Sequence, residues 1–320
     1  MKVALITGCY GQDGINLISY LDTLDYSVIG LVKERNKKLD SLLGTKNRKL
    51  VILETDLSDK QKVSELISKF SPNEIYNLAG MSIPSHCDLN PKEAVNTNIG
   101  IPINLLEELK TTEIRLFQAS SSEIFGNCLE PIQNEETKIS PRNIYGMTKA
   151  AAHFAVGNYR LNYGVLAGSG IMYNHESEFR DKRIVTTKIV ENLLRIKYSN
   201  DKSKFKLGNI NAMRDWGYSG DFVKAMWMVL QQPKLDDFVI STNKLHSVKD
   251  FLLLAMLSLD MGEDMYRYVE IDESLLRKSD FGILQGDYSK INRLLGWKPT
   301  LNLEQIIDRM IKFKYNTMHE

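Results

Sequence analysis

Long hydrophobic runs are missing from this sequence. No apolar stretch approaches the ~20 residues that a bilayer-crossing helix needs. The opening MKVALITG is too short for the apolar region of a signal peptide. An excess of charge of either sign is missing too: charged residues make up 25% of the chain and nearly cancel, leaving a formal net charge of +1. That balance argues against a basic nucleic-acid-binding surface and against an acidic tail. Cysteine is scarce. Cys9, Cys87 and Cys128 match neither a disulfide framework nor metal-ligand spacing, so no metal is expected. Internal repeats and low-complexity segments are lacking as well. Together these absences predict a soluble protein of a reducing cytoplasm, with neither nucleic acid nor membrane as a partner. The 320 residues suffice for one large or two ordinary domains.

What the chain does contain is an alternation. Val3 to Thr7 is a short apolar run ended by Gly8, as in a buried parallel strand. Gly11 and Gly14 complete G-x-x-G-x-x-G, and Ile15 to Leu24 has helical periodicity. Tyr26 to Val32, Leu50 to Glu54, Glu74 to Leu78 and Leu116 to Ala119 read as further strands. Gln61 to Phe70 and most of Asn90 to Leu109 read as helices. A long helix through Lys149 to about Tyr163 precedes a strand at Val165 to Met172. This order predicts an α/β fold with a Rossmann-type doubly wound parallel sheet. Past residue 172 the character changes. Asn174 to Arg183 is polar and irregular, Thr186 to Ile196 is helical, and an amphipathic helix closes the chain from about Leu303. The expected division is a dinucleotide-binding domain over 1–171, to which later segments can return, and a smaller α/β substrate domain over 172–320.

Two clusters carry chemistry. Glycines in a strand–turn–helix let the backbone turn tightly and approach a pyrophosphate at the helix N-terminus; the plainer alternative is a turn that merely needs glycine. Between Ser120 and Lys149 lie SSSEIFG, an acidic loop and YGMTK. Tyr145 and Lys149, four apart, share a helix face, so the ammonium is expected to depress the phenol's pKa and let it exchange protons. Glu123 follows Ser121 by two residues, as a general base or as a structural carboxylate paired with a cation.

TGCYGQDG (Thr7 to Gly14), Asp56-Leu57, NLAG (Asn77 to Gly80) and the Tyr145/Lys149 pair resemble an extended short-chain dehydrogenase/reductase. QASSSEIFG, YNHES, LGN, RDWG (Arg214 to Gly217) and WKP narrow the resemblance to the GDP-mannose 4,6-dehydratases. The resemblance implies a GDP-sugar substrate and a mechanism. NADP+ takes a hydride from C4 while Tyr145, helped by Ser121, takes the hydroxyl proton. Glu123 removes the C5 proton, water leaves from C6, and the hydride returns there. It further implies cofactor contacts at Gly8, Gly11, Gln12, Asp13, Gly14, Asp56, Leu57, Leu78 and Ala79, with Lys149 on the nicotinamide ribose and His175 on the nicotinamide side. Substrate contacts are implied at Ser82, Ser122, Asn174, Val185, Lys188, Arg214, Arg277 and Asp280. A dimer or tetramer of identical chains is usual in the family.

Departures from the family pattern sit at both ends of that list. The arginine pair that faces the NADP 2′-phosphate appears as Lys33-Glu34 with Arg35 next. Lys33 and Arg35 suit the phosphate, whereas Glu34 suits the ribose hydroxyl of NAD, so NADP is expected with NAD possible. Met81-Ser82-Ile83 replaces Gln-Ser-His in the sugar pocket, and Arg277-Lys278-Ser279-Asp280 replaces Arg-Pro-x-Glu. Arg214-Asp215 also reads as a plain local ion pair. The rivals to dehydration are a GDP-sugar 4-oxidase, 4-keto reductase or epimerase on the same Tyr145/Lys149, and a cofactor-binding scaffold, which the intact Tyr145 and Lys149 argue against.

Overall fold

The computed structural model describes residues 1–47, 49–126, 128–275 and 283–319. Its first half alternates as follows: β1 (Val3–Thr7), α1 (Gln12–Thr23), β2 (Ser27–Val32), α2 (Lys37–Gly44), β3 (Leu50–Glu54), α3 (Lys60–Phe70) and β4 (Glu74–Asn77). Three helices, α4 (Pro84–Leu89), α5 (Pro91–Val95) and α6 (Ile101–Glu108), lead to β5 (Arg115–Ser121), α7 (Ile144–Tyr163) and β6 (Ala167–Met172). Then come β7 (Asn174–Glu176), α8 (Val185–Tyr198), β8 (Phe205–Leu207), β9 (Met213–Tyr218), α9 (Ser219–Leu230) and β10 (Phe238–Ile240). The chain ends through β11 (Leu245–Ser247), α10 (Val248–Ser258), β12 (Val269–Ile271), α11 (Ser289–Leu295) and α12 (Leu303–His319).

The expected doubly wound sheet is present. It has seven strands in the order β10-β6-β5-β4-β1-β2-β3, all pairing in parallel. The order turns between β4 and β1, so the crevice at the strands' carboxyl ends is where such a sheet takes ligands. One face carries α1 against α9, with Leu17, Ile18 and Leu21 meeting Phe222, Met226 and Val229 in one buried cluster. The other face buries Leu57, Val63, Ile67, Leu105, Leu106 and Val156 from α3, α6, α7 and the loop after β3. Burying one such side chain contributes about 1.5–3 kcal/mol.

The region past 172 departs from the sequence reading at Asn174 to Arg183. Its start is a strand: β7 runs parallel to β9, Asn174 opposite Trp216, in a three-stranded sheet with β11. Helices α8, α10 and α12 enclose a separate core of Ile189, Leu193, Phe251, Leu252, Ile307 and Met310. The chain also returns to the large sheet, since β10 pairs with β6 and Trp297 enters the cluster under α1 and α9. No helix among the described residues is long and apolar enough to cross a membrane.

One buried carboxylate clasps that return. Asp221 accepts from Thr300 Oγ1 at 2.7 Å and from Thr300 N at 2.7 Å, while its own carbonyl takes the Trp297 indole N–H at 2.9 Å. Asp221→Ala keeps the carbonyl that takes Trp297 but leaves both Thr300 donors unpaired, and should cost about 2–4 kcal/mol. Chemical denaturation checks it: a midpoint indistinguishable from wild type would show that the segment after α11 holds without the clasp.

Candidate active site

The strand β5 delivers Ser121 and Ser122, both buried, to the crevice, and a turn at Ser122–Ile124 follows. Ser121 caps this turn, its Oγ accepting the Glu123 N–H at 3.3 Å. Helix α7 then packs onto the turn's backbone. A Cβ at Gly146 would fall 2.5 Å from the Glu123 carbonyl oxygen, so no larger residue fits between Tyr145 and Met147 without a shift. Asn143 fastens the same junction from the side. Its Oδ1 caps α7 by accepting the Gly146 N–H at 2.7 Å, and its Nδ2 donates to Glu123 Oε2 at 3.2 Å. Among the described residues Glu123 forms no ion pair, so the reading of it as the partner of a cation fails.

Tyr145 and Lys149 project from α7 into this corner. Lys149 Nζ donates to the Ala119 carbonyl at 2.9 Å and stands 5.9 Å from the centre of the Tyr145 ring. The expected depression of the phenol does not occur. Burial dominates and pushes Tyr145 up to about 12; the Ser121 hydroxyl lowers it and the nearby Glu123 charge raises it further. Burial also pulls Lys149 down to about 8. Both shifts follow from one cause, because a low-dielectric site disfavours the charged form of each group.

A cleft of about 480 Å³ runs from this corner along the sheet's carboxyl edge. Of the residues singled out from sequence, it brings together Asp13, Leu78, Ser82, Ser121, Ser122, Glu123, Tyr145, Lys149, Asn174, His175, Val185, Lys188 and Arg214. Gly8, Gly11, Gln12, Gly14, Asp56, Leu57 and Ala79 do not line this cleft; Gln12 and Gly14 open α1, and the others belong to the turns that follow β1, β3 and β4. Lys33 and Arg35 stand exposed past the end of β2. Arg277 and Asp280 lie outside the described residues.

The glycine turn fits a dinucleotide. A Cβ on Gly14 would lie 2.6 Å from Cys9 Cα, so α1 presses directly on the turn. Its N-cap, Gly11, offers no side-chain acceptor, which leaves first-turn amides for a pyrophosphate. Ser120 Oγ and Glu176 Oε1, from two residues of the cleft wall, are buried with no hydrogen-bond partner among the described residues. Such atoms suit a polar ligand.

His175 is more tightly held than the sequence implied. Its Nε2 lies 2.9 Å from Asp13 Oδ2 and its Nδ1 2.7 Å from the Tyr173 carbonyl oxygen. Both neighbours are acceptors, so both ring nitrogens carry protons. Burial opposes that charge, but Asp13 outweighs it and His175 titrates above its ordinary value. Asp13 correspondingly lies below its own. Arg214 and Asp215 do not form the local ion pair. Asp215 is fully buried, and its oxygens take Thr242 N and Oγ1 at 2.8 and 2.6 Å and Asn243 N at 2.9 Å. Arg214 lines the cleft, and its Nη1 also donates to the Met213 carbonyl at 2.7 Å.

Sequence reasoning missed three positioning groups. Asn143 was legible as an N-cap two residues before Tyr145. Asn98 was not: it sits in a π-helical turn at Asn96–Gly100 and ties the Met81 backbone to Thr148 Oγ1. Arg180, another lining residue, lies 3.2 Å from Glu176 and is separated from it by four positions.

A family model for GDP-mannose 4,6 dehydratase matches residues 5–310. GDP-mannose 4,6 dehydratase 2 of Arabidopsis thaliana is 38% identical over 97% of this chain and 86% of its own length. Among solved structures, UDP-glucose 4-epimerase of Thermotoga maritima superimposes with a TM-score of 0.87 at 20% identity, covering 99% of each chain. The NAD complex of dTDP-glucose 4,6-dehydratase from Bacillus anthracis gives a TM-score of 0.86 at 18% identity over 100% of this chain and 98% of its own. The structural likenesses speak for the fold. The sequence matches, which run from β1 to α12, speak for more: this chain belongs to the GDP-mannose 4,6-dehydratase family.

Proposed function

We propose that this protein removes water from a GDP-hexose to give the 4-keto-6-deoxy sugar. The observation that supports dehydration over simple oxidation is Glu123: a carboxylate with no ion pair among the described residues, held by Asn143 in the same corner as Ser121, Tyr145 and Lys149. NADP, when bound, supplies the acceptor for a hydride from C4 and gives it back at C6. Tyr145, with Ser121, takes the proton of the C4 hydroxyl, and Lys149 carries the adjacent charge. Glu123 takes the proton from C5, next to the new carbonyl, and passes it to the C6 hydroxyl, which departs as water; the proton held by Tyr145 goes back to C5 when hydride reaches C6. Asn174, Val185, Lys188 and Arg214 receive the GDP portion, the cations matching its diphosphate. The cofactor is NADP, with Lys33 and Arg35 toward its 2′-phosphate and NAD admissible. Cys9, Cys87 and Cys128 all stand free, which supports a reducing, cytoplasmic setting.

We also infer a homo-oligomer built on α7. Met147, Phe154 and Leu161 follow one another at intervals of seven on that helix and are 39%, 60% and 83% exposed, an apolar stripe suited to a second copy of the same helix. A stripe of this kind repeats itself under a two-fold axis.

Three outcomes test these readings. Glu123→Gln should lower water loss from GDP-mannose about 10²- to 10⁴-fold while C4 oxidation continues, seen by mass spectrometry and nicotinamide absorbance. Water loss at the wild-type rate, or an isomer of unchanged mass from wild type, would sink dehydration by this carboxylate. Because Tyr145 must lose a proton held well above its ordinary value, the oxidation step should speed up as pH rises from about 6 toward 8, approaching tenfold per unit, and climb less steeply above that as Lys149 loses its charge. A flat single-turnover profile would mean that the phenol is already ionised. Phe154→Glu with Leu161→Glu should shift the mass measured by light scattering to that of one chain. An unchanged mass would place the interface elsewhere.

A further inference from the structure

The carboxyl end of β2 carries Lys33, Glu34 and Arg35, and none of its cations stands alone. Asp40, in the first turn of α2, takes Arg35 Nε at 3.0 Å and Nη2 at 2.6 Å on one oxygen. Its other oxygen takes the hydroxyl of Tyr10, from the glycine turn itself. The Tyr10 oxygen accepts the Asn36 N–H at 3.1 Å, and the Arg35 N–H goes to Glu54 Oε2 at 3.0 Å. Lys33 lies 3.5 Å from Glu93. The Lys33 pair is loose, with side chains 79% and 55% exposed. The Asp40 side chain is 19% exposed and receives two guanidinium bonds and a phenol. Hydrogen bonding from Tyr10, and then from Arg35, holds Asp40 below the usual carboxylate range, so it is ionised at neutral pH.

Resting on the reading of this edge as the adenosine-ribose site, we propose that Asp40 determines nucleotide specificity. Arg35 would recognise a 2′-phosphate through forked N–H groups, and Asp40 already takes the Nε/Nη2 edge of that fork. A 2′-phosphate must therefore pull Arg35 away from Asp40 or sit beside a second anion. A 2′-hydroxyl asks for neither. Asp40 taxes NADP and spares NAD, and Tyr10 holds Asp40 in place to do so. The chain accordingly accepts both nucleotides with a narrow preference, and the width of that preference is set outside the catalytic corner.

The test is calorimetric titration of the full-length protein with NADP+ and with NAD+ separately. Asp40→Asn should raise the ratio of the NAD+ to the NADP+ dissociation constant about tenfold, the size of one charge acting on a dianion some 6 Å away through water. The rise should shrink in high salt, and Asp40→Glu should restore the wild-type ratio. An unchanged ratio in Asp40→Asn, with both nucleotides still bound, overturns the inference and leaves the site reading standing. So does weaker NADP+ binding, which would make Asp40 a support for Arg35 rather than a competitor. If Asp40→Asn melts early, Tyr10→Phe carries the same test: a smaller rise supports the inference, and no change overturns it. Binding of neither nucleotide by the wild-type protein would defeat the site reading itself and this inference with it.

Discussion

The approach of α7 to the turn after β5 is the contact on which the candidate site depends. Nothing but hydrogen at Gly146 can occupy the space 2.5 Å from the Glu123 carbonyl, and that closeness sets how far Tyr145 and Lys149 stand from Glu123. A helix and a strand-end turn have no intrinsic reason to hold this spacing. Asn143 supplies one, spending its oxygen on the helix cap and its amide on the carboxylate. A cap of this type contributes about 0.5–2 kcal/mol, modest for the fold. For the chemistry its worth is geometric, because it makes the position of Glu123 a consequence of where α7 begins.

A second junction joins the two halves of the cleft. Gln12 Nε2 donates to the His175 carbonyl at 2.8 Å, Ser177 donates to Gln12 Oε1 at 3.1 Å, and Asp13 holds the imidazolium. Glycine turn and β7 are thus bolted together by polar groups, although apolar packing at the same place would be cheaper in desolvation. What the polar version adds is register. Apolar side chains can slide past one another, whereas these donors and acceptors match in one alignment only. His175, stacked on Phe222 at 4.4 Å between ring centres, is held in one orientation in the cleft wall.

Much of this was legible in the sequence wherever the signal was local. The glycine turn declares itself within a strand, a turn and a helix, and Tyr145 and Lys149 share a face because helices repeat every 3.6 residues. Legibility failed where partners are remote or where adjacency misleads. β7 is three residues long, and its partner Trp216 comes far later in the chain, so Asn174 to Glu176 carries no periodicity to read. Arg214 and Asp215 look like a pair in sequence. On a strand, however, successive side chains leave by opposite faces, which sends Arg214 to the cleft and Asp215 inward to Thr242 and Asn243. The titration of Tyr145 failed for a third reason. Sequence shows which charges are neighbours but not how far water is excluded from them.

That exclusion decides how the corner must work. With Tyr145 near 12 and Lys149 near 8, the amine gives up its proton before the phenol does. Moving a proton from Tyr145 to neutral Lys149 is then uphill. The two residues therefore do not make a phenolate unaided. Glu123 works in the same direction, since its charge raises Tyr145 further and two anions in one dry corner repel. The corner rests with the proton on Tyr145. It becomes basic only when a ligand adds positive charge or a hydrogen-bond donor beside the phenol. Such an arrangement ties proton removal to occupancy of the cleft, and it keeps the two bases from being charged together until the first has passed its proton on.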